Sequence, residues 1–540
     1  MIHFYSELKK YYKSMIFSFF IAMTANGLAL IPPIIMQILI DEAIPGGNLK
    51  DMVLLVVFFI SLPVVNGIVY ALYNTWGAMK CRRASYTINS EIIDRILWQP
   101  ISFHTENSSA KLAAECSRSA IDYTYLWVND IPQTIATFLT AVIAFGYLLY
   151  ISPWIALSQL FLLPVLMVPM VAVKKVIRHY SKILFSANNS IQAMLIEAFR
   201  GIKTVKNFCL EKNILKKYQD LYHNVDKFFR KEALIESFQG TVASRFIMSV
   251  FVGIAFIIGI VNIMQGSMTI GLLVSGLNFI NKFHDGVYSL MSTNLNFSKQ
   301  LGTFEVLFQY RCLEKEGSGA ANIPKEFLQR ELEVCNLSFS YTSDTVILNH
   351  LSLTVPANSW IGIKGSSGIG KTTLLDLITR IEKSEKSIFL DGVDISTISL
   401  EWYRNHIAVL SQVPFLFKDT IRNNFLYANE KLSDREIYEF LDFVQLTELV
   451  HTLPDGLDAQ LGEDGTDISG GEKQRLSLAI ALATGRKFLI LDEATSNLDE
   501  ALEISIAERL HDMVQEQRLT ILSVSHRPNF HKYCDKIIEL

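Results

Sequence analysis

The chain has 540 residues, 50% of them hydrophobic and only 19% charged, and its mean hydropathy is +0.27. Soluble proteins usually carry about 25% charged residues, and this composition excludes a disordered chain, a collagen and a small secreted disulfide scaffold. The net charge of −4 provides no overall basic field of the kind that favours nucleic-acid binding.

Four stretches of the N-terminal half contain no Asp, Glu, Lys or Arg. They cover residues 14–40, 52–79, 131–173 and 246–281 and are 27, 28, 43 and 36 residues long. Because a helix crosses the bilayer core in about 20 residues, the first two predict one crossing each and the last two predict two each. Four runs of this length disfavour the alternative, buried helices of a soluble core. The six predicted transmembrane helices are Ser14–Ile40, Met52–Met79, Ile131–Ile151, Trp154–Val173, Phe246–Met264 and Met268–Tyr288.

The distribution of basic residues predicts how these helices are oriented. Six crossings place the N-terminus, the loops 80–130 and 174–245 and the C-terminal half on one side of the membrane. That side of the membrane domain carries 23 Lys and Arg residues, whereas the opposite loops carry one, Lys50. Such an excess marks the cytoplasmic side. It explains the basic loop 174–245 better than the alternative of RNA binding, so we expect no nucleic-acid partner.

All six cysteines fall on this cytoplasmic side, and no pair of them has the spacing of metal ligands. We therefore expect free thiols and no disulfide. The first hydrophobic run follows three lysines and is too long for the apolar region of a cleavable signal, which predicts a retained first helix.

The composition of the chain changes at the end of residues 1–312, the predicted transmembrane domain. Residues 313–331 are predicted to form a linker. In residues 332–540, short apolar runs alternate with helical patterns such as Lys371–Arg380 and Gly470–Thr484. This alternation predicts an α/β domain with a largely parallel sheet. The predicted strands are Glu331–Tyr341, Trp360–Lys364, Ile388–Leu390, Ile407–Ser411, Phe488–Leu491 and Thr520–Val524.

A glycine-rich loop follows the predicted strand Trp360–Lys364 and precedes a predicted helix. It matches G-x-x-x-x-G-K-[ST] in the strand–loop–helix context that a phosphate-binding loop requires, which disfavours a chance glycine-rich turn. Its N–H groups and the helix N-terminus can surround phosphates. Lys371 can reach the outer phosphates, and the Thr372 hydroxyl can bind Mg²⁺. The loop consists of Gly365, Ser366, Ser367, Gly368, Ile369, Gly370, Lys371, Thr372 and Thr373.

Asp492 and Glu493 follow the apolar run Phe488–Leu491. Because parallel strands deliver their carboxyl ends to the ligand crevice, we expect Asp492 to approach Mg²⁺ and Glu493 to orient or deprotonate the attacking water. Taken alone, the pair is equally well explained as a surface pair at a strand end. A second candidate anion site, at a helix start upstream, consists of Ser469, Gly470, Gly471 and Glu472.

With these motifs the chain resembles the ATP-binding cassette (ABC) family over residues 335–540. The signature departs from the usual pattern, because it reads Ile-Ser-Gly-Gly-Glu where Leu-Ser-Gly-Gly-Gln is usual. The resemblance implies a P-loop NTPase cassette that binds ATP and Mg²⁺. The matching parts are Tyr341 for adenine stacking, Gly365–Thr373 as Walker A, Gln412 as the γ-phosphate sensor, Ser469–Glu472 as the signature, Leu489–Glu493 as Walker B, Ser496–Asp499 as the D-loop and His526 as the switch histidine.

The resemblance also implies roles for these residues. Glu493, Gln412 and His526 would take part in hydrolysis, and Thr372, Gln412 and Asp492 would hold Mg²⁺. In the family, the signature serine of one cassette completes the ATP site of another. One chain carries one set of motifs, so a homodimer with two equivalent sites is implied.

The membrane half resembles the exporter type, with six helices fused ahead of the cassette. The implied function is ATP-driven export or flipping by alternating access, in a multi-pass protein of the bacterial inner membrane whose cassette is cytoplasmic. The expected cargo is a peptide or an amphipathic drug-like molecule; a lipid flippase and an importer of the same fold are alternatives. Cassette proteins of DNA repair or translation lack fused membrane helices. By similarity, coupling segments are expected near Cys116–Tyr123 and Ile202–Phe208.

Lys282, His284 and Asp285 interrupt the sixth predicted helix. Lys282 and Asp285 are three residues apart, so they can share a helix face and form an ion pair. One interpretation is that the pair faces the translocation cavity and selects a polar or charged cargo. The other is that the membrane ends earlier and the cluster is already in water, or snorkels to it.

Overall fold

The computed structural model describes residues 2–238, 242, 244–317, 322–341, 346–366, 368–384, 386–462, 465, 468–494 and 498–540. The chain forms two compact units, Met1–Glu314 and Lys315–Leu540. The boundary between them lies next to residue 312, where the sequence predicts the membrane domain to end.

All regular secondary structure among the described residues of the first unit is helical. Proline explains two of the breaks between helices. Pro32 has no N–H to bond to the carbonyl of Leu28, where the first helix ends, and Pro164 has none to bond to the carbonyl of Leu160. π-helical turns occupy Leu39–Ala43 and Leu126–Asp130. The α-helices are α1 (Ile2–Leu28), α2 (Ile31–Ile38), α3 (Ile44–Gly46), α4 (Leu49–Leu97), α5 (Ile101–Glu106), α6 (Ser109–Tyr125), α7 (Ile131–Ile151), α8 (Pro153–Leu160), α9 (Leu162–Arg200), α10 (Ile202–Asn207), α11 (Glu211–Ser237), α12 (Ser244–Met264) and α13 (Ile270–Arg311).

Within the described residues, four helical segments are long and apolar enough to cross a membrane. They are Tyr11–Gly46, Leu49–Leu97, Ala120–Ile151 and Ser244–Met264. The predicted fourth span is divided between α8 and α9, and the predicted sixth begins α13, whose first half contains several polar residues. The 49 residues of α4 extend over about 74 Å, more than twice the roughly 30 Å of the bilayer core, so this helix continues well beyond the membrane.

The turns between the long helices carry two short helices, α5 and α10. The second predicted coupling segment, Ile202–Phe208, coincides with α10. The first, Cys116–Tyr123, lies inside α6 and not at a turn. The reason is that α6 continues as one helix up to Tyr125, which leaves α5 as the short helix of the preceding turn.

Polar side chains tie the membrane helices together. The carboxylate of Asp41 accepts hydrogen bonds from the Thr269 hydroxyl (2.5 Å) and the Gly271 N–H (2.9 Å), which caps the start of α13. The Tyr147 hydroxyl of α7 donates to the Gln37 side-chain oxygen of α2 at 2.6 Å. Such bonds satisfy polar groups that lipid cannot.

The predicted free thiols agree with the described residues, where Cys81, Cys209, Cys312, Cys335 and Cys534 are all unbridged. The side chain of Cys116 lies outside the described part of the chain.

The second unit contains two sheets of different kinds. Five strands are parallel in the order β6-β7-β8-β3-β9, and four are antiparallel in the order β2-β1-β4-β5. The predicted largely parallel sheet is therefore correct for the first group and wrong for β1 and β4. The strands are β1 (Glu331–Phe339), β2 (Leu348–Pro356), β3 (Trp360–Lys364), β4 (Ile388–Leu390), β5 (Val393–Asp394), β6 (Ile407–Leu410), β7 (Phe488–Asp492), β8 (Thr520–Val524) and β9 (Lys536–Glu539).

Helices separate these strands, and the middle strands are the most deeply buried. All five residues of β7 and all five of β8 are buried, as expected for parallel strands covered on both faces. Short 3₁₀ turns lie at Ile395–Thr397 and Gly456–Asp458. The helices are α14 (Lys371–Ile378), α15 (Leu400–Arg404), α16 (Ile421–Ala428), α17 (Asp434–Phe443), α18 (Thr447–Thr452), α19 (Gly470–Ala483), α20 (Glu500–Gln515) and α21 (Pro528–His531).

Close packing of α13 against α7 depends on small residues and gives a first prediction. A Cβ added at Gly286 would overlap the Cβ of Ala141 and lie 3.0 Å from the Thr137 carbonyl oxygen, neither of which can swing away. Gly286→Ala should therefore destabilise the detergent-solubilised protein by about 1–3 kcal/mol, the usual cost of overpacking. Gly253→Ala is the matched control, because a Cβ there meets nothing within 4 Å. Equal thermal unfolding of the two variants would contradict this packing.

Candidate functional site

Four neighbouring strands bring the predicted catalytic and phosphate-binding residues together. Parallel strands in the order β6-β7-β8-β3 all end at the same edge of the sheet. Gln412 follows β6, the pair Asp492 and Glu493 ends β7, His526 follows β8 and the glycine-rich loop follows β3. Residues far apart in sequence thus meet at one edge, where ligands bind in open α/β sheets.

The glycine-rich loop turns around a buried lysine. The Lys371 ammonium donates to the carbonyl oxygens of Gly365 (2.7 Å) and Ser366 (3.2 Å). Gly370 precedes α14 with φ +105°, and a Cβ there would lie 2.8 Å from Ile347, so this position needs glycine for both backbone and space. The fold thereby holds the Lys371 cation at the start of α14, where the backbone N–H groups of the helix also face a ligand. Ser367 lies outside the described residues.

Thr372 and Asp492 form the second feature of the site. The Thr372 hydroxyl donates to the Asp492 carboxylate at 3.3 Å. Burial raises the pKa of Asp492, the nearby charge of Glu493 raises it further, and Thr372 and Lys371 act in the opposite direction. A buried carboxylate beside a hydroxyl is an oxygen donor set that suits Mg²⁺, which usually takes one or two protein carboxylates together with phosphate oxygens. The described residues contain no cluster of three or more His, Cys, Asp and Glu side chains that would form an all-protein metal site.

Glu493 lies at the centre of the strand ends. Its side chain accepts a hydrogen bond from the Gln412 amide nitrogen at 2.7 Å and lies 3.5 Å from the His526 ring. Its backbone has φ +48°, the left-handed conformation that costs a non-glycine residue roughly 1–2 kcal/mol. The strained turn directs the carboxylate across the sheet edge toward β6 and β8.

His526 makes two contacts through one ring nitrogen. Its Nε2 lies 2.9 Å from the Lys371 ammonium and 3.5 Å from the Glu493 carboxylate. A neutral Nε2 can accept from Lys371, whereas a protonated Nε2 can donate to Glu493. The two contacts are therefore alternatives that depend on where the imidazole carries its proton.

The signature residues form a helix start of their own. The Ser469 hydroxyl accepts from the Glu472 N–H at 3.3 Å, and the Glu472 carboxylate accepts from the Ser469 N–H at 2.8 Å, a capping box at the start of α19. These bonds lower the pKa of Glu472, so the unusual glutamate of the signature serves the helix cap as an anion. Within the described residues, Ser469 and Glu472 bond to each other and not to the glycine-rich loop.

Tyr341 lies beside the glycine-rich loop with a half-exposed ring. Its hydroxyl is 3.4 Å from the Thr373 hydroxyl, and its ring packs edge-on against Phe339. The ring position is compatible with stacking on a planar base. Of the predicted D-loop, Ser496 and Asn497 lie outside the described residues, while Asp499 caps α20 by accepting from the Leu502 N–H.

The sequence gives no indication of a role for Gln474, which lies two residues beyond the signature. Its side-chain amide donates to the Glu493 carbonyl at 3.2 Å. No local pattern could have revealed this contact, because it joins two segments that only the folded sheet brings together.

The membrane half contributes a second candidate site on α13. Asn278, Asn281 and Asp285 recur at helical spacing and are exposed on the surface of the single chain; we call them the polar face of α13. His284 points the other way and is buried, with its Nε2 2.8 Å from the Gln159 side-chain oxygen. The predicted ion pair between Lys282 and Asp285 does not form among the described residues.

Family comparisons agree with both units. Residues 15–284 match the family described as ABC transporter transmembrane region, and residues 348–496 match the family described as ABC transporter. A solved structure of a bacterial Atm1-family ABC exporter with ATP bound has a TM-score of 0.84. It is 21% identical and covers 98% of this chain and 93% of its own, which shows the fold.

Several curated relatives are similar to this chain. An ATP-dependent lipid A-core flippase of Desulfotalea psychrophila is 28% identical, over 96% of this chain and 89% of the relative. The corresponding protein of Syntrophus aciditrophicus is 28% identical over 84% of this chain and 75% of the relative. The mitochondrial iron-sulfur clusters transporter ATM1 of Debaryomyces hansenii is 32% identical over 66% of this chain and 52% of the relative.

The helical spans, the site at the sheet edge and these matches lead to one conclusion. The protein is a multi-pass membrane protein that binds and hydrolyses ATP, and hydrolysis drives transport across the membrane. The chain belongs to the ABC transporter family, as a half-transporter of the exporter fold in which one transmembrane domain is fused to one ATP-binding cassette.

Proposed function

We propose that two copies of this chain form an ATP-driven exporter or flippase with two equivalent ATP sites. The observation that carries the proposal is the group at the strand ends, where the Glu493 carboxylate lies 2.7 Å from Gln412 and 3.5 Å from His526, next to Lys371 and Asp492. A single chain therefore supplies every side chain that the hydrolytic reaction needs. The signature motif that faces the bound ATP would come from the second chain.

In this proposal the glycine-rich loop binds the phosphates of ATP, with Lys371 on the outer phosphates and Tyr341 against the adenine. Thr372 and Asp492 would hold Mg²⁺, and their oxygen chemistry fits that ion. A bound Mg²⁺ would neutralise charge on the phosphate oxygens. Gln412 engages Glu493 through its amide nitrogen, which leaves its amide oxygen for the cation.

Glu493 is proposed as the general base. Water attacks the γ-phosphorus, the bond from that phosphorus to the β-phosphate oxygen breaks, and the proton of the water passes to the Glu493 carboxylate. Gln412 fixes the orientation of that carboxylate, and His526 can bond to either Glu493 or Lys371. Most of the rate gain comes from positioning and from charge stabilisation by Lys371 and the loop N–H groups.

The second copy supplies the signature. Ser469 caps α19, and among the described residues it makes no hydrogen bond to the glycine-rich loop of its own chain. An ATP molecule held between the loop of one chain and the α19 N-terminus of the other would favour a closed pair of cassettes. Because each chain carries a complete motif set including Glu493, two identical chains suffice.

We infer that the cassette is cytoplasmic and the membrane is a bacterial inner membrane. The support is the charge distribution, with 23 Lys and Arg on the cassette side of the membrane domain against Lys50 opposite. The flippase relatives named above come from bacteria.

The proposed cargo is an amphipathic molecule with a polar or charged head, a class that includes amphipathic peptides and drug-like molecules. The polar face of α13 supports this, because exposing Asn278, Asn281 and Asp285 to lipid would be costly, while a water-filled pathway solvates them. The names of the flippase relatives favour a lipid as a second candidate cargo. ATPase stimulation of the purified protein by lipids, peptides and amphipathic drugs tests the proposal, and uptake into vesicles with ATP on one face would distinguish export from import.

Glu493→Gln tests the assignment of the base. The variant should still bind Mg-ATP, because the amide keeps the size of the side chain, but its turnover should fall by at least ~10²-fold, the lower range for a positioned base. Phosphate release and nucleotide binding are measured on the full chain in lipid. Glu516→Gln, an exposed carboxylate at the end of α20, is the control. Near-normal hydrolysis by Glu493→Gln would show that Glu493 is not the general base.

Mixing two inactive variants tests the shared site. Lys371→Ala and Ser469→Arg should each abolish both sites of a homodimer. In a mixed dimer, the intact loop of one chain faces the intact signature of the other, so one site returns. ATPase activity should rise when the two variants are co-expressed and purified through two different tags. If the mixture stays as inactive as its parts, or either variant alone reaches the wild-type rate, the shared site is excluded.

Asp285→Asn tests the cargo pathway. Removing the charge from the polar face of α13 should change which compounds stimulate ATP hydrolysis, while basal turnover stays nearly the same because the cassette is untouched. Glu305→Gln, an exposed carboxylate later on the same helix, is the matched control. An unchanged stimulation profile across a panel that contains an activating compound would show that Asp285 does not contact cargo.

A further inference from the structure

The backbone of Glu493 is held at both of its polar groups. Its N–H donates to the Val524 carbonyl of β8 at 2.9 Å. Its carbonyl accepts from the side-chain amide of Gln474 at 3.2 Å. Between these anchors the residue keeps φ +48°, a left-handed conformation that a non-glycine residue retains only where its surroundings over-determine it.

Gln474 is well placed to be one of these anchors. The residue lies on α19, the helix that begins at the signature, and only 1% of its surface is exposed. Around it, α19 buries apolar side chains such as Leu476 and Leu478 in the cassette core, so the helix is a rigid support. A buried amide group needs hydrogen-bond partners, and the Glu493 carbonyl is one of them.

We propose that Gln474 is a positioning residue for ATP hydrolysis, which holds the Glu493 backbone in the left-handed turn that aims its carboxylate. The inference rests on the proposed role of Glu493 as the base. Through this bond, the helix that starts with Ser469 is fixed to the reacting carboxylate of the same chain. Gln474 makes no contact with the reacting atoms and acts only through Glu493.

Loss of the bond should misplace the carboxylate. Without the Gln474 donor, the peptide after Glu493 can rotate toward the right-handed region, which swings the side chain away from the Gln412 amide that lies 2.7 Å from it. A displacement of 1 Å in a catalytic group can cost about 10²-fold in rate. Nucleotide binding should not change, because the glycine-rich loop belongs to β3 and α14 and is anchored separately.

The main test uses Gln474→Met, which keeps the length of the side chain and removes its donor. In the full chain in lipid, kcat for ATP should fall by about 10- to 100-fold, with KM for ATP changed by less than about twofold. Ser477→Ala is the matched control, because this buried hydroxyl lies one turn further along α19 and has no hydrogen-bond partner among the described residues. It should keep the wild-type rate.

A double-variant comparison separates positioning from a merely structural role. In a Glu493→Gln background, Gln474→Met should cost no further activity, because the group it positions is already gone. A further loss of similar size in that background, or a wild-type kcat for Gln474→Met alone, overturns the proposal. If Glu493→Gln itself turns over normally, the base assignment of the proposed function has failed, and this inference fails with it.

Gln474→Glu keeps the proposal testable if the methionine variant does not fold. The carboxylic acid has the same shape but donates a hydrogen bond only while protonated. Hydrolysis by this variant should therefore decline as pH rises through a range in which the wild type is constant. A pH profile that matches the wild type would contradict the positioning role.

Discussion

The catalytic half of the molecule depends on the order of its parallel strands. Because β6, β7, β8 and β3 lie side by side, Gln412, Glu493, His526 and the glycine-rich loop emerge at neighbouring points of one sheet edge. Strands β7 and β8 pair along their whole length in one parallel register, which sets the distances between those side chains. A slip of one residue in either strand would turn each side chain to the other face of the sheet.

The bilayer imposes a different constraint on the other unit. Lipid offers no hydrogen bonds, so every polar group of a membrane helix must find a partner in protein or in water. Asp41 meets this constraint by capping α13, and Gln159 meets it by bonding to His284. On the polar face of α13, Asn278 bonds to a carbonyl of its own helix, whereas the exposed Asp285 has no such partner among the described residues, which agrees with the proposed water-lined pathway.

The sequence predicted best where chemistry is local. The glycine-rich loop needs glycine at position 370 for its positive φ and for space, so the loop can be recognised from its sequence pattern alone. Strands β3, β7 and β8 are short apolar runs, and their limits agree with the prediction to within one residue.

The sequence did not reveal β2, since half of its residues are polar or exposed, nor β9, which lies at the sheet edge with mostly exposed residues. Contacts such as that between Gln474 and Glu493 depend on the folded sheet, and the expected pairing of Lys282 with Asp285 failed because helical spacing permits a contact without enforcing it.

In the proposed transporter, two copies of this chain enclose two ATP molecules. Native mass spectrometry of the full chain, in detergent with Mg²⁺ and a non-hydrolysable ATP analogue, counts chains and nucleotides in one measurement. The expected result is a dimer that carries two nucleotides. A monomer that retains the nucleotide as tightly, or a dimer that binds only one, would contradict it.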